Sequence, residues 1–219
     1  GKTYEMPRHG FARNFEFKIL NQTENSVVFV LESNFETLKK YPFEFELQLE
    51  YVIEENSLKM KYSVENKSEV SMPFSIGAHP AFAIENPFSD YSLKFNQVEP
   101  LQSYELEKEQ FNNSYNEIDS HNGIIALDYV LFEKDALVFK HLKSNELTLL
   151  KKNKPVLTVQ FEGFPYLGIW TKSNAPFLCI EPWCGLADNV NHNGNILEKE
   201  GINLLQPKCF FSRTIQITL

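Results

Sequence analysis

From Phe43 to Tyr51 the chain alternates without a break, with Phe43, Phe45, Leu47, Leu49 and Tyr51 apolar and Glu44, Glu46, Gln48 and Glu50 polar. A period of two leaves no stripe on a helix, whose period is 3.6, but it puts all five apolar side chains on one face of a strand. After the polar Glu54-Glu55-Asn56-Ser57, the run Leu58 to Val64 alternates again, which predicts an antiparallel hairpin. Short β-branched or aromatic runs recur at 15–19, 27–31, 137–139, 147–150, 156–161, 167–170, 177–180 and 215–219, divided by Asn, Ser, Gly or Pro. No helical stripe of comparable length competes. Residues 33–40 alone predict a short helix or turn, capped by Ser33 or Asn34. The polar stretch 102–123 predicts a long connection, and its length points to the edge of a binding site. With 42% hydrophobic and 14% aromatic residues among 219, the chain has material for one sizeable core. The pattern predicts a single all-β domain over 1–219, a large antiparallel β-sandwich.

Charge and cysteine usage narrow the partners. A formal net charge of -8 and no run of Lys or Arg argue against a phosphate-backbone partner, so no nucleic acid is expected. Cys179, Cys184 and Cys209 cannot all pair within one chain, and none shows metal-ligand spacing, so a reducing cytoplasm is expected and no metal. The first eight residues carry no apolar signal core, and no segment reaches the ~18–20 apolar residues of a membrane helix, so no membrane partner is expected.

Two short motifs carry the chemistry. His79-Pro80-Ala81-Phe82 and, a hundred residues on, Glu181-Pro182-Trp183 each set an ionisable residue at the end of an apolar run. A histidine and a glutamate brought together supply a general acid and a general base. Taken singly, each has a plainer reading, a structural histidine and a strand-end acid in solvent. Trp183, two positions after Glu181, shares its face in an extended chain and offers a wall for stacking.

These motifs, with Phe164-Pro165-Tyr166-Leu167-Gly168-Ile169-Trp170, Cys184-Gly185-Leu186-Ala187-Asp188 and His9-Gly10-Phe11-Ala12-Arg13-Asn14, occur in family order and resemble the LacX-type branch of the aldose 1-epimerase (galactose mutarotase) family. The resemblance implies a galactose mutarotase-like supersandwich and an enzyme that interconverts the α and β anomers of a hexose without a cofactor. It implies that His79 protonates the ring oxygen while Glu181 takes the anomeric proton, with His9, Arg13, Asp135, Trp183 and Phe82 contacting the sugar. Asp128 competes with Asp135 for the aspartate position, and for Trp170 or Phe82 taken alone core packing is the plainer reading. A hexose phosphate needs a cationic clamp, so a free hexose is favoured. The family pattern carries further strands before the His-Gly motif, here at residue 9, so the resemblance also implies a chain lacking its first N-terminal strands. An exposed sheet edge then predicts a homodimer or marginal stability. The alternatives are a non-catalytic carbohydrate-binding protein and an inactive shortened homologue.

Overall fold

A computed structural model describes residues 1–219, in which almost every regular element is an antiparallel strand. The chain divides into two compact units, 1–74 with 203–214 and 75–202 with 215–219. The first unit holds β1 (Lys18–Gln22), β2 (Ser26–Glu32), α1 (Phe35–Lys40), β3 (Phe45–Glu54), β4 (Ser57–Asn66) and β5 (Met72–Phe74). The second holds β6 (Ile76–Gly77), β7 (Ala81–Ala83), β8 (Tyr91–Phe95), β9 (Gln102–Glu107), β10 (Gln110–Glu117), β11 (Ile124–Ala126), β12 (Leu137–Phe139), β13 (Glu146–Lys151), β14 (Lys154–Gln160), β15 (Tyr166–Trp170) and β16 (Phe177–Cys184). β17 (Asn203–Leu205) returns to the first unit, and β18 (Phe210–Thr218) begins in the first and ends in the second. No helix is long and apolar enough to cross a membrane.

In the first unit β1 to β4 form an antiparallel meander, and the predicted hairpin is β3–β4, closed at Glu54↔Ser57 with Glu55 left-handed at φ 50°. Asn34 caps α1. Its side chain accepts the N–H groups of Glu36 at 2.9 Å and Thr37 at 3.1 Å, while the Thr37 hydroxyl accepts the Asn34 N–H at 2.8 Å, a reciprocal capping box. The strand expected at 15–19 starts only at Lys18. Residues 12–14 form a 3-10 turn, and Phe15 packs edge-on against Phe11 at 5.8 Å, so its apolar character serves local packing instead. β5 pairs with β17, and the buried Asn66 holds the loops beside them. Its Nδ2 donates to the Val70 and Leu205 carbonyls, both at 2.8 Å, and its Oδ1 accepts the Ser68 N–H at 2.9 Å. Asn66→Ala strands these groups away from water. It is expected to cost roughly 3 kcal/mol, read as a lower urea midpoint at unchanged slope.

In the second unit one sheet runs β11-β8-β13-β14 to the end of β18, and another runs β12-β15-β16 with β6 and β7 along the far side of β16. Leu93, Phe95, Leu147, Leu149 and Val159 of the first sheet are fully buried, as are Phe139, Leu167, Ile169, Leu178 and Ile180 of the second. Phe95 meets Phe139 edge to face at 5.6 Å. Each such side chain contributes ~1.5–3 kcal/mol on leaving water, which fixes which face of β15 and β16 turns inward. The other face, carrying Tyr166, Gly168 and Trp170 with Cys179, Glu181 and Trp183, is thereby left for chemistry.

The stretch 102–123 differs from the connection expected of it. It forms the β9–β10 hairpin, turned at Lys108 and Glu109, both with positive φ, and bulged between Phe111 and Tyr115. Most of its polar residues line the outer side, the buried Ser103 excepted, whereas Phe111 is buried with Val138 and Leu186 in a cluster against which Tyr166 and Trp183 pack.

Candidate active site

The pairing along β16 brings the two motifs together. β6 pairs as Gly77↔Trp183 and β7 as Ala81↔Cys179, so one uninterrupted register runs through both and sets residue 79 opposite residue 181. Between them Ala78 N–H donates to the Pro182 carbonyl at 3.0 Å and Ile180 N–H to the Pro80 carbonyl at 3.3 Å. These bonds make 78/182 and 80/180 the hydrogen-bonded pairs. His79 and Glu181 then occupy the intervening non-hydrogen-bonded position, where facing side chains approach most closely. Each motif follows its ionisable residue with proline, which has no N–H, so the flanking pairs hold one ladder bond instead of two. β6 and β7 are separate strands for that reason, with His79 at the gap.

His79 Nε2 lies 3.4 Å from Glu181 Oε1. The histidine side chain is 49% exposed and the carboxylate 6%, so one group reaches toward solvent and the other sits in the sheet. The His79 ring meets Trp170 edge to face, with centroids 6.4 Å apart. Cys179, two residues before Glu181 and on its face, is buried. Burial first, and the Glu181 charge second, push its thiol up to about 11, so it stays protonated at neutral pH.

Trp183 lies flat on the sheet because both neighbouring strands present glycine. A Cβ on Gly77 would stand 2.6 Å from Trp183 Cδ1, and one on Gly168 would fall inside the van der Waals envelope of the indole's six-membered ring. The half-buried indole therefore extends across the sheet beside Glu181.

The other expected site residues are placed as follows. Phe82 pairs with Leu178, on the face opposite Cys179 and Glu181, so its ring turns to the core side and not to the site. Asp128 caps the 3-10 turn at 129–132 by accepting the Val130 N–H at 3.0 Å, a local duty. Asp135, half-buried, accepts the Ala136 N–H at 2.7 Å, and Ala136 packs in the cluster that holds Trp183. His9, in the turn closed by Gly10 N–H to the Pro7 carbonyl at 2.8 Å, and Arg13, in the 3-10 turn, are exposed residues of the first unit. Trp170 and Cys179, not counted among the site residues from sequence, stand on the site face.

Near Trp183 lies one buried cation. The Lys140 side chain, 3% exposed, pairs with Glu200 at 2.9 Å and lies 4.2 Å from the Phe111 ring centroid and 4.7 Å from that of Tyr104. Its charge is met from both sides within the protein.

Known proteins resemble this chain over most of its length. The family model described as Aldose 1-epimerase matches residues 1–202. Protein LacX, chromosomal, of Lactococcus lactis subsp. lactis is 36% identical over 97% of this chain and 74% of its own length. A crystal structure of a galactose mutarotase related enzyme from Lactobacillus acidophilus superposes with a TM-score of 0.93 at 34% identity, over 100% of this chain and 75% of that one. A galactose mutarotase-like protein from Lactobacillus casei gives 0.92 at 29% identity, over 99% and 77%. The fold is the antiparallel β-sandwich expected from the strand pattern, of the galactose mutarotase-like type that the resemblance implied.

Proposed function

The chain belongs to the aldose 1-epimerase family, and on that premise we propose that it interconverts the α and β anomers of a free hexose, with His79 and Glu181 as acid and base. The observation that carries the proposal is the 3.4 Å approach of His79 Nε2 to Glu181 Oε1 across the β16 register. An arrangement with the sugar between acid and base would require a ring-width gap, which 3.4 Å does not leave. The reaction does not require it. The ring oxygen and the anomeric hydroxyl are both bonded to C1, so a close pair reaches both from one side of the sugar.

Glu181 takes the anomeric hydroxyl proton as protonated His79 gives its proton to the ring oxygen. The C1–O5 bond breaks, and the open aldehyde turns about C1–C2. Neutral His79 then withdraws the O5 proton as O5 attacks the other face of C1, and protonated Glu181 returns a proton to the carbonyl oxygen, which resets both groups. Paired proton transfer of this kind supplies ~10²–10⁴ in rate. Trp183 serves as the platform for the sugar ring, with Asp135 as a hydroxyl partner. The pairing of Lys140 with Glu200 favours a free hexose over a phosphorylated one, because that cation is already neutralised. Cytosolic residence belongs to the same proposal, supported by three cysteines that remain free thiols.

Polarimetry of freshly dissolved α-galactose and α-glucose tests the reading. The protein is expected to speed the decay of rotation to equilibrium well beyond buffer. Sugar binding without any acceleration would leave a non-catalytic carbohydrate-binding protein in its place.

A further inference from the structure

We propose that His79, Cys179 and Glu181 form a binding site for a thiophilic divalent cation of the zinc class, and that its occupancy switches the acid and base off. One ligand atom from each of the three residues lies within 4.8 Å of the others. The convergence is built into the sheet: Cys179 and Glu181 share a face of β16 at i and i+2, and the register sets His79 opposite Glu181. With metal–ligand lengths of ~2.0–2.3 Å, the edges of a tetrahedral site measure about 3.3–3.7 Å. His79 and Glu181 stand at 3.4 Å already, and a change of the exposed imidazole's rotamer closes the remaining distance toward the sulfur.

The donor set selects the ion. One imidazole nitrogen, one thiolate and one carboxylate suit zinc or cadmium, whereas magnesium and calcium require a shell of oxygens. Three protein ligands leave a fourth position for water or a sugar hydroxyl. On binding, the Cys179 S–H bond breaks, its proton passes to bulk water, and the sulfur pair bonds to the metal, with no change in oxidation state. Lone pairs on Nε2 and the carboxylate are taken up as well. These are the pairs mutarotation uses, so cation and catalysis exclude one another. The inhibition therefore rests on the mutarotase reading, whereas the binding does not.

Cadmium titrated into Cys209→Ser protein, which removes the exposed thiol, tests the site directly. One equivalent is expected to produce a sulfur-to-cadmium charge-transfer absorbance, and zinc to displace it. Cys179→Ser in that background should abolish the band. Zinc affinity should fall at least about tenfold in Cys179→Ser and also in His79→Gln, whose side chain is 49% exposed. Zinc should slow mutarotation over the same concentrations that displace cadmium, and a chelator should restore the rate. A missing band, or wild-type zinc affinity in either variant, overturns the site. A normal band in a protein without mutarotase activity leaves the site standing and removes the proposed function instead.

Discussion

Glu181→Gln is expected to lower kcat by at least about a hundredfold while changing KM far less, because the group acts where charge moves in the transition state. The substitution keeps the shape of a side chain that is only 6% exposed, so the loss reports the missing base and not a cavity. His79→Ala is expected to act similarly, and its exposed position makes misfolding a poor explanation of any loss. The two groups exchange protons with geminal oxygens in one event. The double variant should therefore fall little below the worse single one, as for residues that work as a unit. Polarimetric kcat and KM for the four proteins decide the matter. Full turnover in either single variant removes that residue from the mechanism.

The period-two runs were legible because burial of one sheet face writes itself directly into alternation. β2, β3, β4 and β13 lie within a few residues of their expected bounds. The β9–β10 hairpin was not, since its side chains are mostly polar and its inward ones, buried Ser103 and Phe111 with half-buried Tyr104 and Leu106, make no sustained apolar alternation. His79 and Glu181 were legible as motifs, but their contact depends on a register spanning a hundred residues, which no local pattern encodes. Phe82 is instructive in another way. It stands three residues from His79, an odd separation, and in extended chain an odd separation means opposite faces. The parity that correctly put Trp183 beside Glu181 argues equally against Phe82, and the Leu178↔Phe82 pairing bears this out. Trp170 could be assigned to the site face only through Trp170↔Cys179, again a matter of pairing.

Gly168→Ala is expected to raise KM roughly tenfold, with a smaller loss in kcat, by lifting the Trp183 indole from its seat; a tenfold change corresponds to about 1.4 kcal/mol. Gly168 has no positive φ, so alanine meets no backbone strain there, and the whole effect arises from the added methyl group meeting the six-membered ring. The indole cannot sink, because the sheet backbone lies beneath it, and it is flanked by the Phe111–Val138–Leu186 cluster. It must tilt outward, into the space over Glu181 where the sugar ring is to stack, so substrate affinity suffers before proton transfer does. Two controls separate this account from general damage. In a Trp170→Phe background Trp183 is the sole tryptophan, and its emission should shift toward that of an exposed indole in Gly168→Ala. In a Trp183→Ala background the methyl group has nothing to displace, so Gly168→Ala should become nearly neutral in KM, a coupling that a double-mutant cycle reads out. Unchanged KM and emission in Gly168→Ala would mean that the indole is not the sugar platform, and Trp170, across from Cys179 on the same face, would take its place.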